Sequence, residues 1–234
     1  MPADPALVLW DVDHTLVNMA GVSQLIYERA FAAMTGRVLE RVADMAGRTE
    51  RAIAADTLRL AGFADPEPML PAFFEALRAA AAEMTEQMRA RGRALPGARE
   101  TVAAFGADGV NQTLVTGNLR ALAGMKLAAV GLTDHLDLAV GGYGEDSADR
   151  AELVRSAIAR AEAAYGLAFP RQRVVVVGDT VHDVRGARDA GARAVAVATG
   201  RPSFAALAAA GPDALLADLT DPVAVRAAVF GTVG

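Results

Sequence analysis

The chain has 234 residues, 53% of them hydrophobic, with no cysteine and a formal charge of −5 from 23 basic against 28 acidic side chains. Without cysteine, disulfide frameworks, thiolate zinc sites, cysteine-ligated iron–sulfur clusters and cysteine nucleophiles are excluded. The acidic balance argues against a nucleic-acid partner, which calls for a basic surface, and no run reaches the roughly 18 uninterrupted apolar residues of a membrane span.

Residues Met1 to Ala6 carry no basic segment and lead straight into an apolar run, so no secretory signal is expected and a cytoplasmic location follows by default. The length suits one large α/β domain or a domain carrying an insertion. Of the 23 basic residues, 22 are arginine and one, Lys126, is lysine.

In chain order, Leu7-Val8-Leu9-Trp10 reads as a buried parallel strand that ends in Asp11-Val12-Asp13-His14-Thr15. Residues 17–92 then show helical periodicity without a convincing strand. Amphipathic helices are expected over 21–34, 49–60 and 70–89, with Gly62 and Asp65-Pro66-Glu67-Pro68 as breakers. A helix is expected over 98–105, followed by a second strand, Gln112-Thr113-Leu114-Val115, ending in Thr116-Gly117-Asn118. Further on, the segment 149–165 is helical, with Leu153, Val154, Ala157, Ile158 and Ala161 on one face. Val174-Val175-Val176-Val177 forms a third strand ending in Gly178-Asp179-Thr180, and a short helix reaches Ala190 with Gly191 as its cap. Ala194-Val195-Ala196-Val197 makes a fourth strand, and a weaker fifth lies near Ala214-Leu215-Leu216. This alternation predicts an α/β fold, a doubly wound parallel sheet. Residues 1–16 and 93–234 would form its Rossmann-like core, and 17–92 an inserted helical cap.

Chemistry concentrates at the strand ends, where open parallel sheets place their sites. Asp11 and Asp13 follow the first strand, and Asp179 and Asp183 the third. Asp is common in turns, and Thr180 with Asp183 also fits a helix cap, which leaves Asp179 without a structural role. Four acids gathered at one sheet edge repel one another unless a hard cation sits among them, and oxygen ligands suit Mg²⁺. Thr116-Gly117-Asn118 fits two readings. One is a helix N-cap at Asn118; the other is a phosphate cradle of a hydroxyl, close-approaching backbone N–H groups and a helix terminus.

Taken together, Asp11-x-Asp13-x-Thr15, Thr116 after a hydrophobic run, and Gly178-Asp179-x-x-x-Asp183 resemble the haloacid dehalogenase-like hydrolase superfamily over nearly the whole chain. Within it the chain looks most like the phosphoglycolate phosphatase group. The resemblance implies a Mg²⁺-dependent phosphatase acting on a small phosphorylated metabolite. Asp11 would be the nucleophile and Asp13 the general acid and base. Asp11, the Asp13 carbonyl, Asp179 and Asp183 would serve the metal, and Thr116, Gly117 and Asn118 the phosphoryl group. A β-phosphoglucomutase-like transferase shares the first and last motifs, and a catalytically silent phosphate-binding regulator is a further alternative.

The family pattern asks for a lysine near the start of the helix before the Gly178-Asp179 strand, and here Arg150 stands at that place. Lys126 is the rival cation, expected to point elsewhere from within its helix. Gly47-Arg48-Thr49 resembles a cap specificity loop, in which Arg48 would meet a substrate's anionic end or simply be solvated. His14 would contact the leaving group or line its turn.

Overall fold

Apolar runs such as Leu7-Val8-Leu9-Trp10 have no polar face, so each needs cover on both sides of its sheet. The computed structural model, which describes residues 5–231, provides that cover. In chain order the elements begin with β1 (Leu7–Trp10), β2 (Val17–Asn18), α1 (Val22–Thr35), α2 (Glu50–Leu60), α3 (Leu70–Glu83) and α4 (Thr85–Arg91). Next come β3 (Arg93–Ala94), α5 (Ala98–Ala107), β4 (Asn111–Thr116), α6 (Arg120–Ala129), β5 (Gly142–Tyr143) and α7 (Arg150–Tyr165). The chain closes with β6 (Val174–Gly178), α8 (Val181–Asp189), β7 (Arg193–Val197), α9 (Phe204–Ala209), β8 (Ala214–Leu216) and α10 (Pro222–Phe230).

Six strands make one parallel sheet in the order β5-β4-β1-β6-β7-β8. The chain runs outward from β1 to β4 and β5, then crosses back to β6 on the other side of β1. This reversal opens a crevice at the carboxyl ends of β1, β4 and β6. Alternation along the strands divides the core between the two faces. Leu7, Leu9, Val174, Val176, Ala194 and Ala196 pack with Leu153, Val154, Ile158 and Ala187 of α7 and α8. Val8, Trp10, Val175 and Val177 join a larger cluster with Ile26, Phe73, Leu77, Val102 and Leu122. That second cluster runs without a break from the sheet into the helical segment. No helix among the described residues is long and apolar enough to cross a membrane.

The helical segment leaves and rejoins the sheet through a two-residue antiparallel ribbon of β2 and β3, too short to register in the sequence pattern. The helix expected over 70–89 is two helices. Thr85 Oγ1 donates to the Ala82 carbonyl at 2.8 Å, a local bond that competes with the helical ladder where α3 gives way to α4. β5, α9 and α10 are elements the periodicity did not single out.

Where the helical segment meets the sheet, backbone contacts backbone. The first-turn N–H groups of α2, which have no partner inside their own helix, donate to loops at the sheet edge: Glu50 to Gly117 O at 2.6 Å and Arg51 to Gly144 O at 3.1 Å. Gly144 N–H in turn donates to Asn118 O at 2.9 Å. A Cβ at Gly117 would overlap the Arg48 carbonyl, and one at Gly144 would overlap Gly117 O and crowd Glu50 N. Gly144→Ala is therefore expected to unseat α2 and cost more than about 1 kcal/mol of stability. Calorimetry should show a melting temperature at least roughly 2 °C lower for a chain of this size; no change would mean that α2 is not seated through this contact.

Candidate active site

Asp11 is the first residue beyond β1, and its N–H still donates to Val177 O at 2.9 Å, extending the ladder by one step. The chain then folds back on itself. Leu16 and Val17 both donate to Val12 O, at 2.9 and 3.0 Å, and His14 N–H donates to Val17 O at 2.7 Å. His14 sits in the left-handed region, φ 61°, a conformation for which His is among the more tolerant residues. This turn brings Asp13 back over the same edge as Asp11. Asp179 follows β6 and accepts from Thr15 Oγ1 at 3.3 Å. Asp183 lies in the first turn of α8, where it forms the capping box with Thr180: Thr180 N–H donates to Asp183 Oδ2 at 3.0 Å.

Asp11, Asp179 and Asp183 are buried, and each offers a carboxylate oxygen within 4.8 Å of the others. Burial and then the neighbouring carboxylates push the Asp11 and Asp179 carboxyls well above the ordinary range. Two like charges at that distance repel by about 3.5 kcal/mol at an effective dielectric constant of 20. An oxygen-only cluster that resists its own ionisation suits a hard cation.

The cations take separate partners. Arg150 opens α7 after Asp149, whose side chain accepts from Ala151 N–H at 2.9 Å as N-cap. Its Nη2 donates to Asp11 Oδ1 at 2.7 Å, to Val115 O at 3.3 Å and to Asp183. Burial opposes its charge, but Asp183 and Asp11 raise its pKa above the ordinary arginine value. Its buried Nε has no hydrogen-bond partner among the described residues.

Lys126 does not point elsewhere, as its place inside a helix had suggested. It lies on the inward stripe of α6 with Leu122, Ala123 and Leu127, and helical side chains lean toward their N-terminus. That direction carries its ammonium to the sheet edge, where Nζ donates to Asp13 Oδ2 and to Asn118 Oδ1, each at 2.6 Å. Burial works against ionisation of Asp13, yet Lys126 and Asn118 together hold its carboxyl below the usual range.

Asn118 is not the cap of α6, which starts at Arg120 with Leu119 in the cap position. Its Nδ2 instead donates to Asp13 Oδ2 and Thr116 Oγ1, each at 2.8 Å, so Thr116, Asn118, Asp13 and Lys126 form one connected network. Gly117 has a reason for being glycine apart from any phosphate, namely the Arg48 carbonyl above it. Arg48 lines the site but is engaged within its own segment. Its Nη2 donates to Asp56 Oδ2 at 2.5 Å, and Nη1 to Asp44 O at 3.2 Å. Thr49 caps α2. The His14 side chain faces the cavity while its carbonyl accepts from Thr199 Oγ1 at 2.5 Å.

A cavity of about 300 Å³ lies over the strand ends, bounded by Asp11, Asp13, Thr116, Lys126 and Arg150 below and by the helical segment above. Sequence reasoning missed two residues of its upper wall, Tyr27 of α1 and Glu50 of α2. Tyr27 OH donates to Glu50 Oε1. Burial pushes the Glu50 carboxyl up to about 6. Glu50 was visible in the sequence only as a first-turn acid, and Tyr27 only as an apolar position of a helix.

The family model of the haloacid dehalogenase-like hydrolases matches residues 8–188. Solved structures share the fold. A hydrolase from Pseudomonas syringae is 19% identical with a TM-score of 0.67, covering 93% of this chain and 96% of its own. A predicted phosphoglycolate phosphatase from Haemophilus somnus is 17% identical with a TM-score of 0.64, covering 97% and 100%. A HAD family hydrolase from Deinococcus radiodurans, with bound phosphate and sodium, is 23% identical with a TM-score of 0.55, covering 97% and 96%. No curated protein matches the chain significantly.

The Lys126 contact has a direct consequence. In metal-free protein, carbon-13 NMR of the side-chain carboxyls should show Asp13 titrating below the ordinary value of about 3.9, and above it in Lys126→Met, where burial remains and the cation is gone. The same low titration in both proteins would refute the pairing.

Proposed function

Because the chain belongs to the haloacid dehalogenase-like hydrolase family, we propose that it is a Mg²⁺-dependent phosphatase that hydrolyses a small phosphomonoester through an aspartyl-phosphate on Asp11. The observation that carries this reading is the pairing of each working carboxylate with its own cation, Asp11 with Arg150 and Asp13 with Lys126. In the same reading residues 17–92 are the cap and residues 1–16 and 93–234 the catalytic core.

Asp11, Asp179 and the Asp13 carbonyl would hold the Mg²⁺, with Asp183 beside them; their oxygen-only, mutually repelling donor set fits that ion. When bound, Mg²⁺ supplies charge neutralisation for an incoming phosphate dianion. Asp183 has both oxygens engaged, one by Arg150 and one by Thr180, so its part is to orient rather than to react. Thr116 borders the cavity floor, and its hydroxyl, which accepts from Asn118, keeps its own hydrogen to offer a phosphoryl oxygen. Arg150 holds the Asp11 carboxylate in place and adds positive charge where the phosphoryl group arrives. Arginine would do the work of the expected lysine through one guanidinium nitrogen, Nη2, which donates to both carboxylates.

In the first half-reaction an Asp11 oxygen bonds to phosphorus in line with the departing oxygen, the ester P–O bond breaks, and Asp13 protonates the alcohol as it leaves. In the second, Asp13 takes a proton from water, the water oxygen bonds to phosphorus, and the bond to Asp11 breaks to release phosphate. Lys126 holds resting Asp13 ionised, which suits this second half. An incoming dianion beside Asp13 raises its pKa and offsets Lys126, so the acid form needed for the first half arises with substrate bound.

With Mg²⁺, the wild type should release phosphate from p-nitrophenyl phosphate, and Asp11→Asn should lose at least about a thousandfold in kcat, since no nucleophile replaces the carboxylate. Activity surviving that change would sink the nucleophile assignment, and inactivity of both proteins would favour a silent phosphate-binding role.

The raised carboxyls also fix a pH dependence. Folded Asp11 and Asp179 keep protons that the unfolded chain loses above about pH 4, so metal-free stability falls as pH rises from there toward their raised values. Mg²⁺ removes that penalty. Its stabilisation, read as the melting-temperature difference between Mg²⁺ and EDTA, should be larger at about pH 8 than at about pH 5. An equal difference at both would contradict a metal among these acids.

A further inference from the structure

Arg48, Lys126, Arg150 and Arg201 line the cavity, and each faces a carboxylate. Lys126 pairs with Asp13, Arg150 with Asp11 and Asp183, and Arg48 with Asp56. Arg201 at the rim reaches Asp44 at 3.5 Å. The upper wall shows the opposite imbalance. Glu50 is 3% exposed and borders the cavity, and it joins no ion pair among the described residues. Its side-chain partner is the Tyr27 hydroxyl; Lys126 touches it only through a longer-range field, its contacts going to Asp13 and Asn118. Ile26, Ile53 and Leu122 line the same wall, so the carboxylate sits in an apolar, weakly screening environment.

A carboxylate buried without a counterion is costly, and its neighbours here supply the Tyr27 hydroxyl and the Leu119 backbone N–H where it can accept several bonds. We infer that Glu50 and Tyr27 form the recognition site for the alcohol half of the substrate, one that takes a hydrogen-bond-donating hydroxyl or ammonium group and excludes a second anionic group. The inference rests on the phosphatase reading and gives it a substrate class: phosphate esters of small polyols or amino alcohols, as opposed to esters of hydroxy acids. A carboxylate-bearing alcohol would place a negative charge beside Glu50, where the cations lining the cavity already face carboxylates. A hydroxyl or ammonium there would complete the bonds Glu50 lacks. The burial that lifts the Glu50 carboxyl to about 6 leaves it mostly ionised at neutral pH, consistent with a charge-reading role. The cavity volume of about 300 Å³ suits a small phosphate ester.

The test compares phosphoethanolamine, glycerol 3-phosphate and phosphoglycolate. Wild-type kcat/KM for the first two is expected to exceed that for phosphoglycolate by about tenfold or more, a discrimination of roughly 1.4 kcal/mol. In Glu50→Gln, which keeps the shape and removes the charge, that ratio should shrink about fivefold or more; a ratio within one protein cancels any general loss of turnover. In parallel, calorimetric titration of the same three esters into Mg²⁺-loaded Asp11→Asn should give the same order of affinity. Phosphoglycolate favoured in either measurement, or a ratio unmoved by Glu50→Gln, overturns the inference. Should no ester be hydrolysed, the phosphatase reading falls, while the order of binding to Asp11→Asn still decides what Glu50 selects. That order also decides if Glu50→Gln fails to fold.

Discussion

Three carboxylates crowded at one buried sheet edge repel one another, and the arrangement of the whole site follows from how that repulsion is contained. Arg150 is the protein's own answer. It stands in the first turn of α7, where a cation opposes the helix dipole at a cost of up to about 1 kcal/mol, and it is buried besides. Only partners of full opposite charge offset both penalties, and the guanidinium bridges two of them, Asp11 and Asp183. The neighbouring helix makes room for it: a Cβ at Gly186 of α8 would crowd the Arg150 side chain at 2.7 Å. One cation does not neutralise three acids, so the cluster remains under-compensated, and its raised carboxyls suit it to hold a metal ion.

The second cation is kept apart from the first, and this separation matters chemically. A nucleophile has to be an anion with its attacking oxygen available, whereas a proton-transfer group has to change charge during the reaction. Had one cation served both Asp11 and Asp13, ionisation of each would have depended on the other. Lys126 and Asn118 instead tie Asp13 into a network with Thr116 that does not touch Asp11. In the proposed mechanism the sole lysine of the chain would thus govern the proton-transfer group, and an arginine would hold the nucleophile.

How much of this could be read in advance depended on how local the signal was. Asp11, Asp13, Asp179 and Asp183 follow directly on apolar runs, and the end of a buried parallel strand has only one place to be, the sheet's carboxyl edge. Arg150 was legible for a related reason, because a helix start fixes both its position and its energetic misfit. Lys126 was not. Its role depends on which face of α6 turns inward, and the same stripe of Leu122, Ala123 and Leu127 would hide an apolar residue equally well. Arg48, open to a substrate-contact or a solvated reading, instead lines the cavity while paired with Asp56, one turn along α2 from Ala52, whose carbonyl also accepts from Arg48 at 3.4 Å. Tyr27 and Glu50 lie on different helices, and nothing in either helix announces the other.

The glycines at the joint tie these strands of reasoning together. Gly47, Gly117 and Gly144 each stand where a Cβ would collide across the boundary, with Thr180, with the Arg48 carbonyl, and with Gly117 O and Glu50 N respectively. The helical segment therefore approaches the sheet edge to backbone distance directly beside the phosphate-facing residues. That approach places Glu50, at the start of α2, over the reacting groups while its N–H is fixed on Gly117 O. The loop that carries Thr116 and Asn118 is thus bonded to the helix that carries the wall carboxylate. In the proposed reading, a substrate able to satisfy Glu50 would favour this contact, and one that repels it would oppose it. The group that would inspect the alcohol in that reading is therefore bonded through its own backbone to the loop that would cradle the phosphate.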